Sequence, residues 1–207
     1  MASYATESIR AVALVGHGGS GKTSLAEALL FRAGAIPAKG TVEKGSTVCD
    51  FDPQEKTAGH SLNSALVNFA AEGVHIHLVD APGYPDFAGQ AFAALAGVDT
   101  AMIVINAQTG IELMTERMMR AARQRGLARM IVINKIDAEN LDLPGLVAAI
   151  RERFGNECKL LDLPAHDRAD VVEVLEHDSG DADFDTVAHA HRELIDQLVE
   201  EDEDLLA

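Results

Sequence analysis

The 207-residue sequence has only two cysteines, Cys49 and Cys158. That is no disulfide framework for a chain of this size, and it fits a reducing compartment. Long hydrophobic runs are also missing. No apolar stretch approaches the roughly 20 residues that a membrane span requires. The N-terminus has one basic residue ahead of a short strand-like segment, not the extended apolar core of a secretory signal. A soluble, cytoplasmic monomer is expected, with no membrane partner. Positive charge is scarce as well: 17 Lys and Arg face 33 Asp and Glu, a net charge of −16. Repulsion from phosphate excludes binding DNA or another polyanion through bulk charge. Most of the imbalance is local, because Asp167 to Ala207 hold 15 acidic and 2 basic residues. There is no internal repeat, and no low-complexity tract beyond the terminal Glu-Glu-Asp-Glu-Asp. What the chain does have is 47% hydrophobic residues, enough for a sizeable core. Its length suits one domain with an insertion or a small appendage.

Short apolar runs alternate with helical patterns, the rhythm of βαβ units around a mostly parallel sheet. Residues 9–15 read as a buried strand and 21–33 as a helix. Residues 34–59 show no sustained periodicity, and an irregular segment that long in a compact domain is usually functional. Residues 61–69 and 74–79 read as two strands joined by a turn at Glu72-Gly73, an antiparallel edge pair. Residues 100–105 and 130–133 suit the sheet centre. Between them Ile111, Met114, Met118 and Ala121 recur at helical spacing and predict a core-facing stripe. A further helix is expected over 143–154, with Pro144 at its start. After Gly155 the texture changes. Residues 158–163 and 170–175 read as short strands separated by a polar turn containing Pro164. A helix then runs from about Asp185, with the stripe Leu194, Ile195, Leu198 and Val199. Because Gly16–Thr23, between the first strand and the first helix, matches the phosphate-binding pattern GxxxxGKS/T, the expected fold class is α/β, a three-layer P-loop nucleotide-binding fold over 1–155 with one antiparallel edge strand. Residues 156–207 would form a small acidic α+β insertion.

Three motifs carry chemistry. Gly16-His17-Gly18-Gly19-Ser20-Gly21-Lys22-Thr23 matches GxxxxGKS/T at every fixed position and lies between the first strand and the first helix. Glycines let successive N–H groups turn towards a phosphate chain, and the helix N-terminus adds a favourable dipole. Lys22 would reach the β- and γ-phosphates, and the Thr23 hydroxyl would ligate Mg²⁺. Asp80-Ala81-Pro82-Gly83 follows a strand. Asp80 can hold Mg²⁺ directly or through water, and Gly83 lets its N–H approach a γ-phosphate with no Cβ in the way. Asn134-Lys135-Ile136-Asp137 follows another strand. Guanine presents two adjacent donors, N1–H and the 2-amino group, which one carboxylate accepts together; adenine has no such pair. Asp137 would read that edge, Asn134 would bridge base and backbone, and the Lys135 stem would lie over the ring. The ordered triple points to GTP or GDP with Mg²⁺.

With these motifs the sequence resembles the translation-factor GTPases, and among them the nucleotide-binding domain of elongation factor G. "DAPGYPDF" from Asp80 to Phe87 is similar to the family's DTPGHVDF, and "EKTAGHSL" from Glu55 to Leu62 is similar to ERGITI, the end of its switch I. "LLDLPAHDRADVVEVL" resembles the start of the insertion that marks elongation factor G. The resemblance implies that Ser61 takes the place of the switch I threonine on Mg²⁺, that the ribosome is the partner, and that GTP is hydrolysed. It also exposes departures around the γ-phosphate. Tyr84 stands where the family has its water-orienting histidine. The two apolar gate residues fall at Gly18 and His60, the P-loop aspartate at Gly19, and the switch I arginine at Ala58. Tyr84 and His60 are therefore the candidate catalytic pair, with slow hydrolysis expected. The family's last guanine motif should follow the insertion, and the chain ends before it, so a fragment is expected, or a protein lacking that strand.

Other features leave alternatives open. His75 and His77 share a strand face but cannot close a metal site alone. Arg117, Arg120, Arg123 and Arg125 make one helix basic, either for ribosomal RNA or as a solvated face. The acidic end can dock a basic partner or simply be solvated. Cys49 has no histidine near it in sequence, and no catalytic role is expected. Three functions remain: a ribosomal GTPase, a GTP-binding switch with little or no hydrolysis, and an ATP-using P-loop kinase, which the guanine motif disfavours.

Overall fold

The computed structural model describes residues 4–201. Contacts divide the chain into two compact units, 1–135 and 136–207; the change of texture at Gly155 lies inside the second.

The first unit is built on a five-stranded sheet of order β2-β3-β1-β4-β5. Its strands are β1 (Ile9–Gly16), β2 (Ala65–Ala71), β3 (Val74–Asp80), β4 (Thr100–Asn106) and β5 (Ala128–Asn134). β1 lies parallel to β3 and β4, and β4 is parallel to β5; only β2 runs antiparallel, against β3. Glu72 and Gly73, with φ of 47° and 78°, make the tight turn between β2 and β3, a pair of left-handed residues suited to a two-residue hairpin.

The remaining elements of this unit are the helices α1 (Lys22–Arg32), α2 (Pro53–Ala58), α3 (Ala88–Ala94) and α4 (Leu113–Gln124). Strand alternation sends Leu14, Leu78 and Val104 to one face, where they pack with Ala26 and Leu30 of α1. Ala13, Val15, Ile103 and Ile105 point the other way and are equally buried, and α4 packs on β1 and β4. Its buried stripe is Met114, Met118 and Ala121, with Met119 and Ala122 alongside. Ile111 precedes the helix. Arg117, Arg120, Arg123 and Arg125 are all exposed. Helices therefore cover both faces, and the motifs follow the C-terminal ends of β1, β3 and β5.

The second unit contains α5 (Leu143–Phe154), the hairpin β6 (Asp162–Ala165) and β7 (Asp170–Glu173), and α6 (Val187–Glu201). α5 begins where expected, with the Asp142 carboxylate accepting from Gly145 N at 2.9 Å and Pro144 in the first turn. Leu163, Val174, Val187, Ala190 and Leu194 form its core. Two expectations are corrected here. Pro164 lies in β6, opposite Val171, with the turn moved on to residues 166–169. The buried stripe of α6 starts earlier, at Val187 and Ala190, and leaves Leu198 exposed.

In the first unit, Ser61 falls outside β2, which starts at Ala65. The reason is local: buried Glu55 accepts the N–H groups of Leu62 and Asn63 at 2.8 and 2.9 Å, bending the chain before it can join the sheet.

Candidate nucleotide-binding site

The loop Gly16–Thr23 leaves β1 and opens α1. Gly16, Gly19 and Gly21 have φ of 136°, 77° and 93°, conformations L-residues rarely adopt. A Cβ on Gly16 would strike the Val104 carbonyl, and one on Gly21 would strike the Asn134 amide. Lys22 is buried and donates to the carbonyls of Gly16 and His17 at 3.2 and 2.7 Å, so it is folded back over its own loop. Burial lowers its pKa from 10.5 to about 8, against the opposing charges of Asp80 and Glu112. His17 turns Nε2 towards Glu112, 3.7 Å away. The Ser20 hydroxyl is buried without a hydrogen-bond partner.

Next to Lys22 lies a chain of oxygens. Thr23 Oγ1 donates to Asp80 Oδ2 at 2.7 Å, and Ser61 Oγ donates to Asp50 Oδ1 at 2.7 Å. The two hydroxyl oxygens lie 3.2 Å apart, within hydrogen-bond distance of each other. Asp80 Oδ1 beside them is buried and without a hydrogen-bond partner. A hard cation with oxygen preference fits such a set. Asp80 is 1% exposed. Burial raises its pKa to about 6; the Thr23 hydrogen bond and Lys22 pull it down, and Asp50 and Glu55 push it further up.

Asp50 was not singled out by the sequence. It lies in the irregular segment, is buried, and also accepts from Thr47 Oγ1 at 2.9 Å. Two more buried acids organise that segment. Glu27 of α1 accepts the N–H groups of Gly40 and Val48. Glu55 accepts that of Asp52, completing a capping box on α2. The signal that could have found them is the acids themselves, set where apolar residues would otherwise face the core. Cys49 is buried in the same segment, and burial with nearby carboxylates pushes its thiol up, away from nucleophilic chemistry.

Gly83 packs directly on the P-loop. A Cβ there would meet Lys22 Nζ, and Gly18 N and His17 C at 2.6 Å. Tyr84 follows, and its ring covers Gly18: a Cβ on Gly18 would lie 2.8 Å from ring carbons. The His60 ring lies 4.7 Å from the Tyr84 ring and 6.1 Å from that of Phe87. His60 Nδ1 donates to the Ser61 carbonyl at 3.3 Å, which leaves Nε2 as the acceptor nitrogen. The two candidate catalytic residues are in contact above the P-loop.

Asn134, at the end of β5, donates from Nδ2 to the Ser20 carbonyl at 2.9 Å, and its Oδ1 accepts from Lys135 N at 2.9 Å. It ties β5 to the P-loop. Lys135 has φ of 61°, which turns the chain sharply at the strand end. Asp137 lies in the second unit, in the exposed turn that follows.

His75 stacks on Tyr4 at 4.5 Å and meets His77 edge-on at 4.8 Å. Among the described residues, no group of three or more His, Cys, Asp or Glu side chains could hold a metal ion, and no helix is long and apolar enough to cross a membrane.

Residues 7–204 match the elongation factor Tu GTP binding domain. The chain is 34% identical over 209 residues to an elongation factor G-like protein of Mycobacterium tuberculosis, covering 95% of this chain and 29% of that protein. It is 36% identical over 156 residues to elongation factor G 2 of Streptomyces coelicolor, covering 75% and 23%. A crystal structure of a Thermus thermophilus protein superposes with a TM-score of 0.84 at 34% identity, covering 96% of this chain and 32% of that one. The chain spans less than a third of the length of each.

Proposed function

The chain belongs to the family of elongation factor Tu GTP-binding domains, and from that premise we propose that it is a Mg²⁺-dependent guanine-nucleotide switch of a cytoplasmic translation factor acting on the ribosome. The observation that carries this reading is the convergence of Thr23, Ser61 and Asp80 beside Lys22, with Asp80 Oδ1 buried and without a hydrogen-bond partner. Relatives named elongation factors support the ribosomal partner.

In this reading the P-loop N–H groups of residues 16–23 hold the phosphates, and Lys22 leaves its backbone carbonyls to neutralise the β- and γ-oxygens. Thr23, Ser61 and Asp80 would hold Mg²⁺. The metal would supply charge neutralisation between the phosphates. Asp50 keeps Ser61 turned so that its lone pairs face inward. Gly83 senses the γ-phosphate, since its contact with Gly18 must open to admit one. Asn134, Lys135 and Asp137 read the guanine base. Residues 1–155 act as the GTP-binding core and 156–207 as an insertion.

Catalysis falls to a different pair from the family's usual one. His60 Nε2 accepts a hydrogen bond from the attacking water and holds it in line with phosphorus. Tyr84 closes the space above Gly18. Hydrolysis is accordingly slow, and a switch that works by conformation alone is the second reading, favoured by the absence of a histidine at position 84. Single-turnover GTP cleavage by the full gene product, with and without ribosomes, tests the proposal. Ribosome-stimulated cleavage that His60→Ala abolishes supports it; nucleotide binding with no response to ribosomes contradicts the ribosomal role.

A further inference from the structure

The turn that follows Asp137 is held by a side chain from far along the chain. Arg168 donates from Nη1 to the carbonyl of Ala138 at 2.7 Å, and Ala138 is the residue after Asp137. Arg168 belongs to the β6–β7 turn, where His166, Asp167 and Arg168 take φ of 53°, 54° and 67° in succession. Three consecutive non-glycine residues in the left-handed region are strained, and such strain persists only where surrounding bonds enforce it. Asp183 enforces it here. Its two carboxylate oxygens accept the N–H groups of Asp167 at 3.0 Å and Arg168 at 2.7 Å. Asp183 is itself fixed by its own N–H, which donates to the Pro164 carbonyl at 2.8 Å. His166, Asp167 and Arg168 lie in the four-residue loop of the hairpin, whose pairing ends at Ala165 and Asp170. What the conformation does achieve is to aim a guanidinium at Ala138. Arg168 is moreover one of only two basic residues between Asp167 and Ala207.

We propose that Arg168 is a positioning residue for base recognition, fixing the turn after Asp137 through the Ala138 carbonyl so that the Asp137 carboxylate meets guanine in one geometry. This rests on the reading of Asp137 as the guanine acceptor. A bidentate carboxylate–guanine pair requires the carboxylate to be held in place, yet Asp137 is exposed and its turn contains another left-handed residue, Asn140 (φ 56°). A guanidinium is charged at every working pH, and its bond to a carbonyl is charge-assisted and directional. The acidic segment therefore takes part in reading the base.

The test compares the affinities of GDP and inosine diphosphate, both with Mg²⁺. Hypoxanthine lacks the 2-amino group but keeps N1–H, so the ratio of the two affinities reports the 2-amino half of the Asp137 contact and cancels general losses of stability. The unmodified protein should prefer GDP by at least tenfold. Arg168→Ala should weaken GDP more than tenfold and inosine diphosphate by a smaller factor, bringing the ratio towards unity. Asp183→Ala should lower the same ratio with the arginine intact, because it releases the strained turn. If the unmodified protein discriminates and both variants keep its full ratio, the positioning role is wrong and the base assignment stands. If the unmodified protein binds the two nucleotides equally, the guanine reading of Asp137 fails and this proposal fails with it.

Discussion

Moving the pH through 6 from above, or through 8 from below, should weaken nucleotide binding from opposite sides. The two charges beside the phosphate cradle are both disfavoured by burial. Asp80 is raised to about 6 and Lys22 lowered to about 8. For Asp80 the folded value exceeds the unfolded one, so its contribution to stability is full below the ordinary carboxylate value of 3.8 and is lost as pH rises through about 6. For Lys22 the folded value is the lower one. Its contribution is full above 10.5 and is lost as pH falls through about 8. Between those limits the nucleotide-free protein keeps both groups charged, at a cost of about 3 kcal/mol each for shifts of roughly two units. A phosphate beside Lys22 and a cation beside Asp80 relieve that cost, so binding selects the charged forms. Affinity for GTP with Mg²⁺ should therefore fall about tenfold at about pH 5 and about tenfold at about pH 9, one proton on each limb. Calorimetry in buffers of different ionisation enthalpy should register proton release near pH 6 and proton uptake near pH 8. The terminal phosphate titrates on the acid limb as well, so the decisive comparison is with Asp80→Asn, whose acid limb should be one proton shallower. Identical acid limbs in the two proteins, or an affinity that stays flat across the range, would refute the reasoning.

Asp137→Asn should lose about a hundredfold in GTP affinity, on the order of 3 kcal/mol for two charge-assisted hydrogen bonds, and gain affinity for xanthosine triphosphate, whose carbonyl pairs with an amide donor; competition binding of the two nucleotides checks it. Ser61→Ala should weaken GTP with Mg²⁺ about tenfold and leave GDP within about twofold, because the metal that Ser61 would hold also neutralises the γ-phosphate, which GDP lacks; equal losses for both nucleotides would remove Ser61 from the metal site. In single-turnover cleavage, His60→Ala should abolish the rate while Tyr84→Phe, which keeps the ring over Gly18, stays near the unmodified value; the reverse ranking would make Tyr84 the group that positions water.

The parts of the fold that were legible from the sequence are those where one force dominates. The residues of β1, the glycines of the P-loop and the apolar side of α1 form one strand–loop–helix unit, and each signal there agrees with the next. The Met114, Met118 and Ala121 stripe of α4 was equally plain. α3 leaves little trace in the sequence because Ala88–Ala94 consists mostly of alanine and glycine, with a weak periodic contrast. The segment between α1 and β2 looked shapeless because its order comes from carboxylates, Glu27, Asp50 and Glu55, that accept backbone and hydroxyl protons and leave no apolar period. At the site, the motif residues were identifiable from spacing alone. The partnership of Asp50 with Ser61 was not, and neither was the cover that Tyr84 gives Gly18. The first depends on how an aperiodic segment folds back on itself, and the second joins residues distant in sequence, so both are contacts that only the fold creates.

The central claim, that this P-loop binds guanine nucleotides with Mg²⁺, is tested most directly by equilibrium competition for the site among GTP, GDP and ATP, repeated with a chelator. The account predicts that GTP displaces a labelled guanine nucleotide at least a hundredfold more effectively than ATP, and that removing Mg²⁺ weakens GTP more than GDP. Displacement by ATP as effective as by GTP, or affinities indifferent to the metal, would contradict it.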